Sequence, residues 1–236
     1  MTAKTLWTEN EDLYALMCLR ATIGVAAFAS EKQGDPLDPT LCEWPGEWFD
    51  VPGFWFEAWP STIWLKVLFL DPSKGKDARR GDYSAFVRLG ADTSGILYVE
   101  GDLKRRNTEQ IVADGVEHVR LWQPERFGIE TNQFQELLAP LFLAAAKAQG
   151  LHLPIEQVEN TVNKQVRIRR LGSWLSQRKI RFRSRSPGTA LLVQQLRDFP
   201  IGDHDDGADA LEGAIRVATG LLAGRQPERV TGRVMP

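Results

Sequence analysis

Cysteine is scarce: Cys18 and Cys42 are the only two in 236 residues. They make no disulfide framework and have no metal-ligand spacing, which fits a reducing compartment. Long apolar runs are missing as well. None reaches the roughly 18 residues needed to span a bilayer, and no basic segment followed by an apolar run marks a signal peptide. The expectation is a cytoplasmic protein with no membrane partner. No excess of one charge exists either. The formal net charge is −2, so only a local cluster could attract a polyanion. There is no G-x-x-x-x-G-K-[ST], and Ser73-Lys-Gly-Lys resembles that loop only superficially, so no ATP phosphate-binding loop is expected. Repeats and low-complexity segments are absent.

What is present is ordinary in bulk, with 43% hydrophobic and 25% charged residues, as in a globular domain. The organising stretch is Ile63 to Asp71, IWLKVLFLD, running into Pro72. A short run of this composition reads as a strand buried on both faces. It ends on an acid at the edge of the core. Alone, that acid would suit the start of a turn.

Before this strand, residues 9–33 have helical spacing of Leu13, Leu16, Met17, Ile23 and Ala27, broken by Gly34, Pro36 and Pro39. Five of the eight tryptophans (Trp44, Trp48, Trp55, Trp59 and Trp64) follow in a loop-like stretch. They read as packing anchors of an arm, with a carbohydrate- or base-stacking strip as the alternative.

Beyond it, residues 82–89 and 95–101 alternate as strands around a Gly90–Gly95 turn. Asn107 or Thr108 caps a helix through Leu121. Phe127 to Ile129 is a short strand, residues 132–149 form an Ala- and Leu-rich helix stopped by Gly150, and residues 153–158 form a fifth strand. A meander feeding a βαβ crossover predicts an α/β, RNase H-like mixed five-stranded sheet flanked by helices. The expected division is residues 1–60 as a helical and Trp-rich arm, 61–222 as the RNase H-like domain, and 223–236 as a flexible tail.

Carboxylates stand at element ends in three places: Asp71, Glu130, and the run Asp203-His-Asp-Asp-Gly-Ala-Asp209 at the start of a helix. In this topology the strands ending at Asp71 and Glu130 are adjacent and parallel. Close carboxylates repel one another and are held together by hard cations such as Mg²⁺ or Mn²⁺. Two such ions can activate a water and stabilise the leaving oxygen of a phosphodiester. The bland readings are an N-cap for the aspartate run and a surface turn for Glu130.

A basic segment separates the second and third acids. From Asn160 to Arg197 there is no acid, yet there are Lys164, Arg167, Arg169, Arg170, Arg178, Lys179, Arg181, Arg183, Arg185 and Arg197. Residues 166–175 suit a helical turn. Residues 178–185 alternate, with Ile180 and Phe182 inward and Arg181, Arg183 and Arg185 outward. A positive face of this kind suits backbone phosphates; the alternative is a solvated face. Pro187 starts another helix, through Leu196.

Asp71-Pro-Ser-Lys-Gly with Asp82-Tyr-Ser-Ala, Glu130-Thr-Asn-Gln-Phe-Gln, and His204-Asp-Asp-Gly-Ala-Asp-Ala-Leu together resemble the C-terminal nuclease domain of phage terminase large subunits, over roughly residues 62–222. Residues 20–36 resemble the segment joining motor and nuclease in that family. The resemblance implies metal-dependent endonuclease cutting of concatemeric double-stranded DNA during genome packaging, in the host cytoplasm. A separate ATPase motor, small terminase subunit and portal would be partners. It implies Asp71, Glu130 and Asp206 as catalytic metal ligands for two Mg²⁺ or Mn²⁺ ions. Asp205 is the second choice in the run, with Asp209 and His204 in support. Asp82 is a supporting acid or a structural turn residue. A non-catalytic DNA-binding packaging module and another RNase H-like nuclease, such as a junction resolvase, are the alternatives.

Overall fold

The computed structural model describes residues 14–18, 39–72, 83–131 and 138–224. Residues 14–18 are helical. Most of the expected 9–33 helix, Ser73 to Lys76, Asp82, the start of the 132–149 helix and nearly all of the tail lie outside the described residues.

The organising strand is β2, Ile63–Asp71. Leu65, Val67 and Phe69 enter one core cluster, while Leu68 and Leu70 enter another on the opposite face. Burial on both faces is why the run lacks alternation. β3 (Ser84–Asp92) and β4 (Leu97–Lys104) complete an antiparallel meander with it. Helix α1, Thr108–Trp122, starts at a reciprocal cap: Gln110 N donates to Asn107 Oδ1 at 2.8 Å and Asn107 N to Gln110 Oε1 at 3.0 Å. It leads to β5, Arg126–Thr131, which returns parallel to β2. Helix α2, Leu138–Ala148, is followed by Gly150, whose φ of 64° turns the chain, and β6, Ile155–Glu159, lies parallel to β5.

Among the described residues the sheet has seven strands, not five. After the short helices α3 (Lys164–Arg169) and α4 (Gly172–Ser176), β7 (Ile180–Arg183) crosses back to pair parallel with β4. Ile180 and Phe182 are buried, as the alternation predicts. The pairing of β7 was not legible, because nothing local says where a strand docks after two helices. The seventh strand is β1, Trp55–Phe56, parallel to β7 and too short to carry a period. The order is β1-β7-β4-β3-β2-β5-β6.

Helices α5 (Pro187–Asp198) and α6 (Asp206–Gly224) cover one face, and α1 and α2 the other. Phe69 fixes α6: a Cβ at either Gly128 on β5 or Gly213 on α6 would overlap its ring. Trp44 stacks on Phe199 at 5.4 Å and Trp59 lies tilted against Trp122 at 4.2 Å, so these two are packing residues; Trp55 and Trp64 are exposed. Among the described residues, no helix is long and apolar enough to cross a membrane.

Candidate metal centre

Because β2 and β5 are parallel neighbours with Leu70 opposite Ile129, the next residues, Asp71 and Glu130, emerge side by side at one rim. Helix α6 begins over the same rim. One carboxylate oxygen each of Asp71, Glu130 and Asp209 lies within 4.8 Å of the other two. Asp206, preferred from sequence, sits one helical turn earlier. Its Oδ2 accepts the Tyr83 N–H at 3.1 Å, and it lies outside this triad. Asp205 is further out and contacts Lys164 Nζ at 2.8 Å. His204 packs edge-on against Tyr83, 5.0 Å between rings.

Two cations of the basic segment enter this cluster instead of facing solvent. Arg167, 4% exposed, forks onto Asp209, with Nη1 2.8 Å from Oδ1 and Nη2 2.9 Å from Oδ2. Its Nη2 also lies 3.7 Å from Glu130 Oε1. Lys164 Nζ reaches Asp206 at 3.5 Å and Asp209 at 3.8 Å as well as Asp205. Asn160, unread in the sequence, orients Glu130 by donating to Oε1 at 2.6 Å while accepting from Arg216 at 2.5 Å.

Burial, and then the nearby Glu130 charge, raise the Asp71 carboxyl well above its usual range, and Lys164 only partly offsets this. The same two causes push Asp209 up to about 7 despite Arg167 and Lys164. Burial acts to lower Lys164, but Asp71, Asp205 and Asp209 hold its ammonium above the ordinary value. Asp71 is 9% exposed, and the charges that bear on it from Glu130, Asp209 and Asp206 have its own sign, so its ionised form calls for a cation. Three hard oxygen donors at this spacing fit Mg²⁺ or Mn²⁺, which hold such ligands at about 2.1 Å. The donor set therefore fits the metal that the sequence resemblance implies.

The remaining basic residues do not form one face. Arg169 pairs with Glu43 at 2.9 Å and Arg170 with Glu212 at 3.3 Å. Arg183 lies over Phe56 and Trp59. Arg178 and Lys179 precede β7 and are exposed; Leu97, beside Lys179, begins the strand whose Leu103 is level with Asp71. Six residues of strand put them about 20 Å from the triad's rim. Among the described residues, Arg178, Lys179, Arg181 and Arg183 form no ion pair.

Sequence reading missed the basic residues at the rim itself. Since β4 runs in the same direction as β2, its exit, Lys104-Arg105-Arg106, comes out at the triad's end of the sheet. Arg106 is buried and ion-paired to Asp102 and Asp114; Lys104 also pairs with Asp102, at 3.1 Å, but it and Arg105 are exposed, with Arg105 over the Tyr83 ring at 4.9 Å. Strand direction was the available signal.

No protein-family model and no curated protein matches the chain. Solved structures do. The human cytomegalovirus terminase nuclease domain is similar at a TM-score of 0.53 and 15% identity, covering 76% of this chain and 95% of that one. The bacteriophage HK97 large terminase is similar at a TM-score of 0.53 and 14% identity over 75% of this chain, which spans only 43% of the HK97 protein. The chain has the α/β, RNase H-like fold of terminase nuclease domains.

Proposed function

We propose that this chain is a divalent-metal-dependent DNA endonuclease of the terminase kind, cutting viral DNA during genome packaging. The observation that carries this reading is the convergence of Asp71, Glu130 and Asp209 on one rim, from two adjacent parallel strands and a helix start. A divalent ion bound there supplies a Lewis acid for phosphodiester hydrolysis. Asp71, Glu130 and Asp209 would hold it; Asn160 and Arg167 fix the orientation of Glu130 and Asp209. Of the two Mg²⁺ or Mn²⁺ ions that the resemblance implies, the triad would hold one. Asp205 and Asp206, the expected ligands nearby, are joined to Lys164.

Lys104 and Arg105 at the rim, with Arg181 and Arg183 further along the sheet, would track duplex phosphates without reading bases. His204, edge-on to Tyr83, would meet the same backbone. An ATPase motor, a small terminase subunit and a portal would be the packaging partners. A non-catalytic DNA-binding module is the second reading, favoured by one observation: Arg167 and Lys164 already offset the acids without metal.

Cleavage of supercoiled plasmid separates the two. The nuclease reading expects nicking and linearisation with Mn²⁺ or Mg²⁺, none in EDTA, and a loss of at least about 100-fold in Glu130→Gln. DNA binding without cleavage under any metal would leave the second reading standing.

A further inference from the structure

A second divalent ion would need further acids beside the triad, and the neighbouring ones are Asp205, just before α6, and Asp206, its first residue. That position holds a cation belonging to the chain. Lys164 Nζ stands 2.8 Å from Asp205, 3.5 Å from Asp206 and 3.8 Å from Asp209. Its placement is built into the fold. Asn163 caps α3 by accepting Gln165 N–H at 2.9 Å, and Ile168, fully buried, seats the helix in the core. Arg167 follows Lys164 by three residues and clamps Asp209, so both cations are presented on the side of α3 that meets α6. The Lys164 side chain is only 35% exposed. Any ion entering there must expel an ammonium that three carboxylates hold, and Mg²⁺ gives up its water shell reluctantly.

We infer, granting the metal reading above, that the centre takes a single divalent ion and that the Lys164 ammonium fills the second cation's place. Among the described residues only the Asp205 contact is a short hydrogen bond, with Asp206 and Asp209 at 3.5 and 3.8 Å, so Lys164 has N–H bonds to turn toward a phosphate oxygen. A fixed ammonium at that point supplies positive charge beside the triad with no metal to recruit. Lys164 is thus a positioning residue for the acids of α6 and a candidate contact for the substrate's phosphate.

The test is a count of bound ions. Metal-free full-length protein is titrated with Mn²⁺ alone, and free Mn²⁺ is read by electron paramagnetic resonance. The expected result is one ion per chain in the wild type and in Lys164→Arg. Lys164→Met would take two, the second within about tenfold of the first in affinity. Lys164→Gln replaces the Met variant if circular dichroism shows that it does not fold. Two ions in the wild type, or one in the folded Met or Gln variant, overturns the inference while leaving metal-dependent cleavage intact. No Mn²⁺ bound by the wild type sinks the metal reading itself, and this inference with it.

Discussion

Asp71 and Asp209 are carboxylates whose surroundings favour the proton. Both are buried, each feels Glu130, and Asp209 ionises only at about 7. The folded chain therefore binds protons at pH values where the unfolded chain has lost them, between 3.8 and about 7 for Asp209. Since stability changes with pH as protons bound unfolded minus protons bound folded, metal-free stability falls as pH rises through that window. A divalent ion reverses the trend, because it competes with the proton for the same oxygens. Thermal melts in EDTA should therefore show a lower Tm at about pH 8 than at about pH 5, and the gain from added Mn²⁺ should be larger at about pH 8. Asp71→Asn should raise the EDTA Tm by about 2–4 °C, as loss of a buried charge at a functional site does. It should also abolish most of the Mn²⁺ gain. A Tm lowered by the Asn substitution, with the Mn²⁺ gain intact, would make Asp71 a structural residue.

At the scale of elements, the centre depends on how closely α6 lies on the sheet. Gly213 lets the helix rest on the Phe69 ring, and Gly128 accepts the same ring from β5. Alanine favours a helix over glycine by up to about 1 kcal/mol, yet Gly213→Ala should destabilise by about 1–3 kcal/mol through overpacking. Gly220→Ala, where an added Cβ meets nothing, is the control and should be neutral or stabilising. Urea unfolding reads both; equal behaviour of the two variants would refute this packing. The same contact explains what the sequence could and could not show. The adjacency of Asp71 and Glu130 was legible, because strand order and direction decide it. Which acid of the aspartate run lies beside them was not. Asp206 and Asp209 share one side of a helix start, and the seating of Phe69 against Gly213, a tertiary fact, sets how α6 meets the sheet. The opposing stripes were visible but unread: bases at 164, 167 and 170, and acids at 205, 209 and 212. In the fold they meet as ion pairs.

For the whole molecule, this pairing redistributes the charge expected of a DNA-binding face. Four of the segment's ten basic residues, Lys164, Arg167, Arg169 and Arg170, serve the acids of the centre or pair with Glu43 and Glu212, and Arg178 and Lys179 stand at the sheet's far end. Exposed positive charge next to the triad comes instead from Lys104 and Arg105 at the exit of β4. Arg105→Glu should therefore weaken duplex binding at every sequence and flatten the log–log salt slope by about 1. Arg178→Glu with Lys179→Glu should change it less. Fluorescence anisotropy across a salt series measures both, and the reverse ranking would restore the 178–183 segment as the main DNA face. The most direct test of the central claim is a crystal of the chain grown with Mn²⁺ and examined by anomalous diffraction. A peak about 2.1 Å from oxygens of Asp71, Glu130 and Asp209 is the predicted result. Ordered triad side chains with no peak among them would contradict it.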